Sequence, residues 1–256
     1  MAGWRWFGAA VAAILAGAAL AQTQGDVEAF LAGQTKDCAG CQLNERNLDR
    51  IKGDNGDFRG ANFEQSRVTR ASFVRANLSG ANLKSADFNR ADFRFADLSG
   101  ADFTETLLFE ADFSGANLKG AILNGVNLKR ARLAQTKFDG AELIEADLRD
   151  ARTSGNSFVG ADVRRAILDR LNLREANLSG ANFEFSDMIE IDLRDANLRN
   201  ANLAGVNLYG ANLNGADLTG ANLEGANLER ALMSDTKLDG AIYGQTIMPD
   251  GTRKGD

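Results

Sequence analysis

The sequence predicts an all-β solenoid, a quadrilateral parallel β-helix of about ten coils with a short helical cap at its N-terminal end. Three observations predict it. An apolar residue recurs every five positions without slippage, a small residue stands two places before most of these, and a glycine falls on nearly every twentieth position.

The five-residue step runs Leu43, Leu48, Gly53, Phe58, Phe63, Val68 and onward to Met248. Leu or Phe fills most of these centres, and only Gly53 and Thr153 break the rule. The small residue is usually Ala, and Asp or Asn lies between the two, as in Ala81-Asn82-Leu83 and Ala216-Asp217-Leu218. Such a period fits neither the helical repeat nor the two-residue alternation of a strand. It fits a three-residue strand followed by a two-residue corner. The small residue and the centre then point inward and the Asp or Asn outward. No single repeat buries its own apolar pair, so coils must stack at about 4.8 Å.

The number of sides follows from the longer period. Gly40, Gly60, Gly80, Gly100, Gly120, Gly140, Gly160, Gly180, Gly220 and Gly240 form a column in which Asn200 is the single substitute. Gly with Asn as its stand-in marks positive φ, as at the third residue of a type II turn. Four repeats therefore complete a coil, and 41–248 makes a rod roughly 50 Å long. The other corners, lacking such a column, are expected to use a different turn, and Gly125 sits at one of them.

The A-[DN]-[LF]-x-x signature over 41–248 resembles the pentapeptide-repeat family. The resemblance implies right-handed winding and a protein defined by its fold rather than by an activity, hence a non-enzymatic structural or interaction module. Some members resemble DNA in shape and charge, bind DNA gyrase and give quinolone resistance. That alternative is disfavoured here by abundant arginines and by the N-terminal segment.

Residues 1–21 read as a signal peptide. Arg5 precedes an unbroken apolar and small-residue run from Phe7 to Ala21, and Ala19-Leu20-Ala21 fits a small-x-small cleavage site. The expected protein is exported, periplasmic or secreted, with no stable membrane insertion after cleavage; the alternative is an uncleaved anchor. Segment 22–40 is expected to cover the first coil through a short helix, Asp26 at its N-cap and Phe30 and Leu31 on one face. Residues 249–256 read as a frayed polar tail. The last coil, with Ile242, Tyr243, Ile247 and Met248, then exposes an unpaired edge or packs end to end against a second copy as a homodimer.

Candidate chemistry is sparse. The chain has no His, so the commonest general base and metal ligand are missing, and no catalytic residue, metal or cofactor is expected. A formal charge of −6 argues against a nucleic-acid partner. In an oxidising compartment Cys38 and Cys41 are expected to form a disulfide at the cap junction, with free structural thiols, or redox or metal work, as alternatives. One face carries an excess of acids, among them Glu64, Asp102, Glu105, Glu142, Glu145, Glu184 and Glu224, against Lys84, Arg164 and Arg165. It is either a solvated face or a docking surface for a basic partner, with a calcium site as the remaining alternative, for which no calcium-loop motif is present. The next face presents Arg90, Glu110, Arg130, Asp150, Arg170 and Glu190 in a column, expected to pair as an alternating ladder. Thr153 and Asn156 put polar groups inside, where a local bulge is expected and a bound ligand is the alternative. Phe95, Phe109, Phe185 and Tyr209 fall on outward positions. Of these, Phe185 and Tyr209, with Ile189, form a candidate patch for an unknown protein partner; the alternative is that Phe185 folds over its own corner.

Overall fold

The computed structural model describes residues 27–255. The signal-peptide reading of 1–21 and the N-cap at Asp26 lie outside them.

Parallel bridges join each outward Asp or Asn position to the residue twenty places on, from Asp37↔Asp57 to Asn227↔Ile247. Four bridged columns run side by side, containing Asp37, Gln42, Asn47 and Lys52. Twenty residues thus separate stacked positions, as the glycine spacing requires. The pairing starts at Asp37, one repeat before the expected boundary at 41, with Cys38 N–H donating to the Asp57 carbonyl at 2.7 Å.

Most repeats satisfy their backbone in the same way. In the repeat from Phe58 to Asn62, Phe58 N–H donates to Asn77 O and Gly60 N–H to Ser79 O in the following coil. Ala61 N–H closes the corner onto Phe58 O at 3.0 Å, and Asn62 N–H reaches Cys41 O in the preceding coil. The remaining amide, Arg59 N–H, donates to the Asp57 carboxylate at 3.2 Å. The outward Asp or Asn is therefore selected by the corner, whose first amide needs a side-chain acceptor two residues back.

Where that acceptor is absent, six repeats recruit one from the preceding coil. Arg67, Ser72, Leu107, Glu142, Ser157 and Leu232 replace the Asp or Asn. The amides two residues later instead bond to Asp49, Asp54, Asn89, Asn124, Asp139 and Asn214, each twenty residues earlier.

Positive φ is not confined to one corner. It occurs at the third turn residue of all four corner columns, named here by Glu45, Arg50, Asn55 and Gly60, with φ of 56°, 60°, 57° and 61°. The expectation of a different turn at the other corners is thus wrong. The same i+3→i closing bond recurs at each, so each needs the same backbone. Gly120 and Gly125 are equivalent, with φ of 64° and 67° and open space where a Cβ would stand. A non-glycine residue there costs about 1–2 kcal/mol.

Nearly all centres and small positions are buried from Cys38 to Ala231. Phenylalanines concentrate toward the N-terminal coils. Phe73, Phe93 and Phe113 stack on successive coils with centroids 5.7 and 5.0 Å apart. A short helix α1 (27–31) buries Val27 and Phe30, and the Phe30 ring meets Phe58 edge-on at 5.1 Å.

At the other end the tail is folded rather than frayed. β1 (Thr246–Ile247) pairs antiparallel with β2 (Arg253–Lys254), since Asp250-Gly251 turns the chain back and Lys254 Nζ sits 3.5 Å from the Tyr243 ring centroid. The hairpin covers the edge from Gln245 to Met248, and Leu232 and Ile242 remain exposed.

The regular pattern breaks once among the described columns. Arg132↔Arg152 is followed by Asn172↔Asp192, with the step between Arg152 and Asn172 missing. Thr153 uses its hydroxyl, not its amide, to reach Asn172 O at 2.7 Å. Asn156 is 3% exposed and donates to Leu133 O, while its Oδ1 has no partner.

Candidate interaction surfaces

Cys38 and Cys41 form a disulfide, both fully buried, with Cα atoms 5.1 Å apart. They occupy the two inward positions flanking one corner, whose closing bond, Cys41 N–H to Cys38 O, is 3.0 Å. The bond staples the first corner and leaves no thiol free for redox work. Among the described residues no group of three or more His, Cys, Asp or Glu is placed to hold a metal ion.

The proposed patch is only partly assembled. Phe185 is 60% exposed, while Ile189 and Tyr209 are half-buried. Bridge Asp187↔Asn207 sets Ile189 and Tyr209 on adjacent coils, as the spacing requires. Phe185 does not fold over its own corner. Its ring lies on Gly205 in the next coil, so close that a Cβ there would meet Phe185 Cε1 at 2.5 Å. Phe95 lies on Gly115 in the same way. These glycines are needed for space as well as φ, unlike Gly120. The Tyr209 ring is covered by Arg230, 5.5 Å from its centroid.

On the acid-rich face all three bases are paired: Lys84 with Asp102 at 2.9 Å, Arg164 with Asp162 at 2.7 Å and Arg165 with Glu145 at 3.7 Å. Several acids are further held by amides and hydroxyls, as Glu64 by Asn82 and Glu105 by Ser85.

The charged ladder of the 50 column is less continuous than its sequence implies. Arg90–Glu110 at 2.8 Å and Arg170–Glu190 at 2.9 Å form, and the steps between Glu110 and Arg170 do not. Arg130 turns instead over the Phe109 ring, at 5.9 Å. Grooves run along this corner, one lined by Arg50, Arg70, Arg90 and Phe109, another by Phe109, Arg130, Arg170 and Ile189. Sequence reasoning placed the column but not the grooves, which depend on where long side chains lie.

Asp147 carries the largest electrostatic perturbation near this corner. Burial pushes its carboxyl up, but hydrogen bonds from Arg149 and Lys129 outweigh that and hold it at about 2. Asp217 on another face is also lowered to about 2, chiefly by the Thr219 hydroxyl.

The family model for pentapeptide repeats matches in eight copies, over 57–94, 86–125, 126–152, 157–195 and 196–235. The break at 153–156 falls between two matches. No curated protein sequence matches the chain. Among solved structures, the chain is similar to HetL of Nostoc sp. strain PCC 7120, a pentapeptide repeat protein involved in heterocyst differentiation regulation. The identity is 29%, covering 89% of this chain and 97% of HetL, with a TM-score of 0.43. It is similar also to Rfr23 of Cyanothece 51142 (30% identity, 48% and 88% covered, TM-score 0.19). The plasmid-mediated fluoroquinolone resistance protein QnrB1, in trypsin-treated form, follows at 16% identity, 77% and 88% covered and TM-score 0.41. With the repeat model matching more than half of its length and the corner chemistry that the repeat encodes present throughout, the chain belongs to the pentapeptide-repeat family.

Proposed function

We propose that the protein is a non-enzymatic periplasmic interaction module, a right-handed quadrilateral rod of about ten coils whose outward side chains recognise a protein partner. The observation that carries this reading is the filled interior. Nearly all inward positions from Cys38 to Ala231 are occupied by buried side chains, so recognition falls to the outward columns. α1 acts as the N-terminal cap, and the apolar run Phe7–Ala21 as a cleaved export signal. The exposed edge near Leu232 and Ile242 offers a second contact, an end-to-end homodimer through the C-terminal coil. Phe185, Ile189 and Tyr209 remain a candidate patch for the partner.

Two measurements test the reading. Fractionation and mass analysis should place the mature protein outside the cytoplasm with Gln22 as its first residue; an intact cytosolic chain contradicts the location. A pull-down from envelope extracts should lose its partner when Ile189→Asp is combined with Tyr209→Ser. Stability should barely move, because neither side chain fills the core. An unchanged partner set and oligomeric state would remove the patch from the account.

A further inference from the structure

Between Arg50 and Glu190 every residue of the 50 column is charged, and each holds φ between 54° and 61°. The 60 column meets the same requirement with glycine almost throughout. The chain thus keeps long charged side chains where glycine is the conformationally preferred residue. Stability does not account for this, since only two of the column's steps form ion pairs and such exposed pairs contribute little. Non-glycine residues take the same φ in the 45 and 55 columns, so what sets the 50 column apart is its unbroken run of charge from Arg50 to Glu190.

What is displayed has a definite chemistry. Among the described residues Arg50, Arg70 and Arg130 have no carboxylate within ion-pair distance, unlike Arg67, which is tied to Asp49 at 2.8 Å. Arg50 and Arg70 stand on successive coils about 4.8 Å apart. Phe109, half-buried, lines the grooves on both sides of it along the same corner. Asp49, Asp87, Glu110 and Asp150 are interleaved with these cations. A continuous polyanion would meet them unfavourably, whereas a polypeptide can space its carboxylates to avoid them.

We propose that the grooves along the 50 column bind an extended acidic segment of a protein partner, its carboxylates on Arg50 and Arg70 and an apolar side chain against Phe109. This rests on the interaction-module reading and names a surface and a partner chemistry for it.

The test uses a triple variant, Arg50→Gly, Arg70→Gly and Arg130→Gly. Glycine suits the positive φ at all three sites, so the variant should fold with an unchanged or higher thermal midpoint. The probe is a fluorescein-labelled Glu-rich peptide with a central Leu, followed by anisotropy at low salt. A matched Lys-for-Glu peptide, duplex DNA and anionic phospholipid vesicles serve as alternatives. The full-length mature protein should bind the acidic peptide in preference to the other probes, and the variant should weaken that binding at least about tenfold. A control, Glu64→Gln with Glu105→Gln and Glu145→Gln, should leave it intact. Equal binding by the triple variant, no binding by the wild type, or preference for DNA or vesicles overturns the proposal. A natural partner still captured by the triple variant overturns the corner alone. The interaction-module reading fails separately, if variants on every face leave partner capture unchanged.

Discussion

At the residue scale the corner explains most side-chain choices. Its first amide takes a side-chain acceptor, and at six repeats where the outward residue cannot supply one the preceding coil does. Asn124 serves Ile144 N–H at 2.9 Å in this way. Asn124→Ala should therefore cost about 1 kcal/mol in denaturant titration, and Lys119→Ala, at the same turn position but serving no amide, less than about 0.5. Gly205→Ala should destabilise more than Gly120→Ala. Both have positive φ, but only the first drives a Cβ into the Phe185 ring, and adding Phe185→Gly should erase the difference. This part of the structure was half legible. The Asp or Asn column was visible, but its purpose was not, because the acceptor role appears only when the corner amide is located. The glycine column suggested one special corner because glycine dominates there. In fact Arg, Glu and Asn take the same backbone elsewhere.

At the scale of the element, the seam at 153–156 is the one interior break in the bridged columns among the described residues. Thr153 and Asn156 announced it in the sequence, through polar residues at inward places. The missing step between Arg152 and Asn172 and the unpartnered Asn156 Oδ1 give it a physical form. Hydrogen exchange should find the amides of Thr153, Gly155, Asn156 and Asn172 opening before their equivalents in neighbouring coils. Thr153→Leu with Asn156→Ala restores the apolar pattern and should raise stability by about 1–2 kcal/mol; a loss would mean the polar pair is better satisfied than its geometry indicates. The C-terminal hairpin was not legible, since Arg253 and Lys254 carry no strand pattern and owe their conformation to the open edge beside them.

For the whole molecule, charge sets the response to pH. Asp147 and Asp217 are held at about 2, below the unfolded value of 3.8. A depressed carboxylate contributes stability that is present above its unfolded pKa and lost as pH falls toward the folded one. Each contributes on the order of 2 kcal/mol at most. With no His in the chain, the denaturant midpoint should stay flat from about pH 5 to pH 8 and drop between about pH 4 and pH 2. Asp147→Asn should lower the midpoint at neutral pH and have little effect near pH 2.

The stacking of each residue on the one twenty places later underlies every surface described, and a distance measurement tests it most directly. Ser79 and Ser179 stand in one corner column a hundred residues apart, five twenty-residue steps by the bridge pattern. Spin labels at these positions, with the native cysteines held in their disulfide, should report backbones about 24 Å apart by pulsed electron resonance. A separation near 32 Å, as fifteen-residue coils would give, would contradict the four-sided register and with it the placement of every outward column.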